Sequence, residues 1–98
     1  MTIVHIKSDS NSNAIDIIKT AIDAELNRLE LGLQKTERQI ANFENEYKIS
    51  SDTFLKQFTA ENMKNNDPEY IAWAGELKIK ERILKDISRL KEIQYVAK

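Results

Sequence analysis

Apolar side chains recur every three or four positions between Ile15 and Tyr47: Ile15, Ile18, Ile22, Leu26, Leu29, Leu33, Ile40, Phe43 and Tyr47, with Thr36 filling a gap. An α-helix sets residues three and four apart on one face, so this spacing predicts a single helix over residues 14–47. The steps contain one stutter and then settle into heptads. At 1.5 Å per residue the helix would be about 50 Å long. Ile17, Ala21 and Leu31 broaden the apolar stripe, which implies more than one neighbour. Gly32 falls mid-helix, where glycine costs roughly 1 kcal/mol relative to alanine. It marks a close backbone approach, a bend, or nothing.

The pattern breaks at Ile49 to Ser51. Ser50 or Ser51 can cap a short helix, 52–59, whose apolar face is Phe54, Leu55 and Phe58. Asp52 then stands favourably at its positive end. Residues 61–67 read as a loop. Asp67-Pro68 opens a third helix, with Asp67 at the N-cap, Pro68 in the first turn and Glu69 beside them. This helix is predicted over 68–95. Tyr70, Trp73, Leu77, Leu84, Ile87 and Leu90 form its stripe, with Ile79 and Ile83 alongside. Glu76–Lys80 and Glu81–Lys85 are i,i+4 pairs in the favourable orientation.

Ahead of these helices, Thr2 to Lys7 is rich in β-branched residues. It reads as a short strand or as an arm that becomes one on binding. With the polar stretch that follows, it makes an arm and linker over residues 1–13. Two glycines and one proline are too few for a turn-rich β fold. At 98 residues the chain is one domain at most. The expected fold is all-α: a long helical hairpin, a short helix between its arms, and an N-terminal arm as a candidate β-strand.

Six of the seven aromatic residues, Phe43, Tyr47, Phe54, Phe58, Tyr70 and Trp73, fall between positions 43 and 73. They predict a hub that fastens the short helix across one end of the hairpin. The distal arms are aliphatic. A two-helix hairpin of this size buries little apolar surface, so the arms want company.

Several chemistries are excluded or weak. The chain has no cysteine, which rules out disulfides, thiolate catalysis and Cys-based zinc sites. His5 is the only histidine and reads as a strand residue facing solvent. Without another histidine, Ser50 and Ser51 are better read as caps than as nucleophiles. Asp67, Glu69 and Glu76 read as helix-start and surface residues, not as an acid–base pair. Gly32 and Gly75 are too far apart for a phosphate loop. No cofactor or metal is expected. The net charge of −1 gives no general attraction to nucleic acid or anionic lipid. No apolar run approaches the roughly 20 residues that span a bilayer, and no signal peptide is evident at the start. The expected location is the cytoplasm, with no membrane partner. The expected function is therefore binding of another protein through helices, not catalysis. The arm would add a strand to a partner's sheet edge or pair with itself across a dimer. A ribbon-helix-helix DNA binder also begins with a strand and a helix, but the first helix here is far too long for one.

The run Phe43-Glu44-Asn45-Glu46-Tyr47-Lys48-Ile49-Ser50-Ser51-Asp52-Thr53-Phe54-Leu55-Lys56-Gln57-Phe58, followed by Asp67-Pro68-Glu69-Tyr70-Ile71-Ala72-Trp73-Ala74, resembles small helical antitoxin-like proteins of prokaryotic type II toxin–antitoxin systems. Such proteins commonly carry a glycine where Lys48 stands here, and a Gly-Glu-containing loop in place of residues 59–66. The resemblance implies an antitoxin that covers and silences a cognate toxin protein, often an RNase, and that often represses its own gene. DNA enters only by that route. Acidic residues Asp52, Glu61, Asp67 and Glu69 would then mimic phosphates toward a basic cleft. Candidate partner-binding residues are Ile3, Val4 and Ile6 in the arm, Ile18, Ile22 and Leu26 on the first helix, and Asp67 and Glu69. A homo-oligomer is also expected. The alternatives are a homodimeric coiled-coil scaffold or adaptor, and a small transcriptional regulator.

Overall fold

The structure is a computed structural model that describes residues 2–7, 13–58 and 67–97. Its elements run β1 (Thr2–Ile6), α1 (Asn13–Tyr47), α2 (Ser51–Phe58), α3 (Pro68–Lys91) and β2 (Ile93–Ala97). The expected hairpin is present: α1 and α3 pack against each other, with the short α2 between them in sequence. The molecule measures 61 × 22 × 19 Å, with a radius of gyration of 19.3 Å. A compact chain of this length would have a radius of about 13 Å. The expected loop at 61–67 lies outside the described residues up to Asp67, as does Glu61.

Local chemistry sets the boundaries. The Asp67 side chain accepts from the backbone N–H of Glu69 at 2.9 Å and of Tyr70 at 3.3 Å, which caps α3. The Ser50 hydroxyl accepts from Thr53 N–H at 3.1 Å, and Glu44 reaches across to the Ser51 N–H at 2.8 Å. Two of the free donors at the start of α2 are thus satisfied, one by a local and one by a distant group. α1 ends where Lys48 enters the left-handed region at φ 60. That is the helix-terminating position glycine favours, since a Cβ there meets the following carbonyl. Lys48→Gly is expected to raise stability by about 1 kcal/mol, read as a shift in the urea midpoint with an unchanged slope. An equal or lower midpoint would show that the strain is relieved elsewhere.

The α1–α3 seam carries Leu29, Thr36 and Ile40 as buried residues of α1. Thr36 is the polar residue in an apolar row, and its hydroxyl donates to the Glu76 carboxylate at 3.1 Å. Lys80 reaches Glu37 across the seam at 3.5 Å. Glu76 and Lys80 therefore tie the two helices together, where the sequence reading had them paired along one helix. Glu81 and Lys85 do pair along α3, at 3.4 Å. A Cβ at Gly32 would meet only Ile83 Cδ1, at 3.6 Å, an ordinary contact. No close approach requires that glycine. Gly32→Ala should therefore stabilise the protein by about 1 kcal/mol, through helix propensity and a less flexible unfolded chain. Thermal unfolding followed by circular dichroism would register it, and a lower melting temperature would reveal a tighter seam.

The sequence predicts the last helix over 68–95, and the structure corrects this. α3 stops at Lys91, and Ile93–Ala97 is a strand pairing with β1. The pairing is parallel, with Thr2 opposite Ile93, Val4 opposite Tyr95 and Ile6 opposite Ala97. Among the described residues the sheet has these two strands. Ile93, Tyr95 and Val96 are residues that pleated backbone accommodates well. The local signal is short and follows a long helical pattern without a break, and the partner that makes it a strand lies ninety positions away.

Candidate partner-binding surface

The two ends of the hairpin differ in kind. At the α2 end the aromatic side chains meet. Trp73 and Phe54 are fully buried and stack with ring centroids 3.9 Å apart. Phe43 stacks on Trp73 at 5.6 Å and Tyr47 does so at 5.7 Å. Tyr70 meets Tyr47 at 5.6 Å and Phe54 at 5.8 Å. The Trp73 indole N–H donates to the Ser51 hydroxyl at 3.1 Å, so the largest buried side chain leaves no polar atom unpaired. Five of the six aromatic residues expected at the hub are joined in this cluster. Phe58 ends α2, and its side chain lies outside those described.

Three acidic groups near the hub, Asp67, Glu69 and Glu44, are occupied within the chain. Asp67 caps α3. Glu69 accepts the Tyr47 hydroxyl. This hydrogen bond pushes the phenol well above its usual range, and desolvation and the negative charges of Glu69, Glu46 and Asp67 add to the shift. Glu44 holds the Ser51 N–H, beside an open cleft of ≈ 420 Å³ lined by Glu37, Ile40, Asp52, Leu77 and Lys80 among others. A partner that used Asp67 or Glu69 would compete with bonds the fold already makes.

The candidate binding residues fall into two separated groups. Ile3, Val4 and Ile6 lie in the sheet, beside the start of α1, where Lys19 Nζ sits 5.6 Å from the centre of the Tyr95 ring. Ile18, Ile22 and Leu26 are on the same half of α1 and are half-buried. Asp67 and Glu69 stand at the other end, beside Tyr47. Lys19 and Tyr47 are 28 positions apart on α1, roughly 40 Å along its axis. One compact partner contact does not take in both groups.

More exposed apolar residues lie elsewhere on the arms. Ile17 and Leu31 are 68% and 67% exposed. They are fourteen positions apart, two heptads, and so share one side of α1. Arg28 lies on that side too. Glu25 holds its guanidinium in a two-pronged contact at 2.6 Å, and this hydrogen bond keeps the Glu25 carboxyl below its ordinary range. On α3, Ile71, Ile79 and Leu84 are exposed. In the sequence Ile17 and Leu31 stand as a broadening of the apolar stripe, and their heptad spacing is legible there.

The chain exposes 7465 Å² of surface. A compact monomer of 11.4 kDa exposes about 5,800 Å². The excess, roughly 1,700 Å², is about twice what one protein covers in a standard interface. Among the described residues no group of histidine and carboxylate side chains could hold a metal ion, and no helix is long and apolar enough to cross a membrane. No protein-family model matches the chain, and no match to it is found among curated proteins or solved structures.

Proposed function

We propose that the chain is a binding protein and not an enzyme, and that it acts as an antitoxin, neutralising a cognate toxin protein in the cytoplasm. The observation that carries the binding role is the pair of highly exposed aliphatic residues, Ile17 and Leu31, flanking Arg28 on the outer side of α1. Large aliphatic side chains left in water on a rigid helix gain free energy when a groove covers them. Arginine beside apolar anchors is a common composition at interface centres. The toxin as partner rests on the resemblance of residues 43–58 and 67–74 to helical antitoxins. Those residues build the hub, which would hold the arms in place for the partner.

The test is co-expression with the neighbouring gene. Wild-type protein is expected to restore growth when that gene is toxic. The double variant Ile17→Glu, Leu31→Glu is expected to lose rescue and to bind the toxin at least ten-fold more weakly. Its melting temperature should hardly change, since both side chains are exposed. Full rescue by the double variant would move the interface off this side of α1. Absence of any toxic neighbour would remove the antitoxin reading.

A further inference from the structure

We infer that the edge of β1 left free among the described residues pairs with β1 of a second copy of this chain, antiparallel and centred on Val4, to make a four-stranded sheet β2-β1-β1-β2. This inference does not depend on the toxin reading. A two-stranded ribbon is barely stable alone in water, and parallel sheets are usually covered on both faces. Here the ribbon is parallel, and Ile3 on it is 52% exposed.

The register follows from backbone geometry. Thr2 stands opposite Ile93 and donates its N–H to Glu92 O at 3.3 Å. In a parallel ladder alternate residues point their backbone groups to the same neighbour, so Thr2, Val4 and Ile6 face β2. Ile3 and His5 therefore turn their N–H and C=O outward. A two-fold axis through Val4 places Ile3 of one copy opposite His5 of the other. The two copies then exchange four backbone hydrogen bonds, and the exposed Ile3 gains a cross-strand neighbour.

A second copy fits this edge for three reasons. The edge is self-complementary, as a two-fold interface requires. Thr2–Ile6 holds no proline, lysine, arginine or acidic residue, so none of the usual devices keeps a like edge away. Two chains of net charge −1 repel each other weakly.

Two variants and a mass measurement test the inference. Light scattering on the purified chain should give twice 11.4 kDa at micromolar concentrations. Proline at position 5 removes an outward N–H and no bond to β2. His5→Pro should therefore weaken the dimer roughly ten-fold or more while helical circular dichroism stays unchanged. The chain has no cysteine, so single-cysteine variants report cleanly. Val4→Cys should cross-link to itself on mild oxidation, because antiparallel partners in a non-hydrogen-bonded pair lie about 4.5 Å apart, within disulfide reach. Ile6→Cys should not, since its counterpart would be about 14 Å away. Should His5→Pro fail to fold, the cysteine pair decides. A monomeric wild type, a dimer indifferent to His5→Pro, or equal cross-linking at positions 4 and 6 would each overturn the inference. A monomer whose toxin binding is lost in His5→Pro would overturn it as well, by assigning the edge to a foreign strand.

Discussion

Replacing Trp73 with alanine is expected to remove about 3–5 kcal/mol of stability, the range for truncating a large buried aromatic residue. Trp73 is fully buried and is stacked by Phe43 and Tyr47 of α1 and Phe54 of α2. Removing it leaves a cavity shared by three helices that are joined by few other buried side chains. It also strips the Ser51 hydroxyl of its donor at the start of α2. Domains of this size hold only 5–15 kcal/mol in all. At roughly 4–8 °C per kcal/mol, the melting temperature should fall by about 15–30 °C or more. Urea unfolding followed by far-ultraviolet circular dichroism measures it. A loss under about 1 kcal/mol would mean that the cluster relaxes into the space. Trp73→Phe should recover most of the packing, but not the hydrogen bond to Ser51.

How legible the fold was from sequence depends on where each element's partner lies. α1 could be read to within a residue at either end because its own periodicity and polar flanks define it. The start of α3 was as plain, since Asp67 and Pro68 act on the turn that contains them. The hub was visible as a crowding of aromatics, because a short helix between two long ones brings positions 43, 54 and 73 together with little freedom. Three features were missed or misassigned, two of them because they depend on distant residues. β2 takes its conformation from β1. Glu76 and Lys80 answer Thr36 and Glu37 across the seam and not each other. Lys48 takes a left-handed conformation that the residue itself does not advertise. The surface was least legible. Exposure at Ile17 and Leu31 depends on which side of α1 the seam takes, and the apolar stripe was wide enough to allow either.

The buried aromatic residues and the two-stranded sheet thus stand at opposite ends of one rod. The hub concentrates the buried aromatics, and Asp67 and Glu69 beside it are committed to the α3 cap and to Tyr47. The sheet end has two short strands and half-buried aliphatic residues. Local opening costs least where few apolar groups are buried. The sheet end is thus the part whose order an added protein surface would change most.

Phe54→Ala should cost about 3 kcal/mol or more, but through a different route from Trp73→Ala. Phe54 of α2 is fully buried and lies face to face with Trp73. An eight-residue helix does not hold its shape alone in water, so α2 needs that docking to stay folded. Removing the ring should release α2 and uncover one face of Trp73, while α1 and α3 stay paired through Leu29, Thr36 and Ile40. Trp73 is the only tryptophan, so its fluorescence reports the change directly. Emission should shift to the red before global unfolding, with a small loss of helical signal. The two substitutions should also fail to add. Once Trp73 is gone, the Phe54 ring has lost the surface it stacks on, and its removal should cost much less. A double-mutant cycle should give a coupling of about 1–3 kcal/mol, as for residues in direct contact. Additive losses would mean that Phe54 and Trp73 stabilise the fold independently, and that α2 is held mainly by its caps at Glu44 and Ser50.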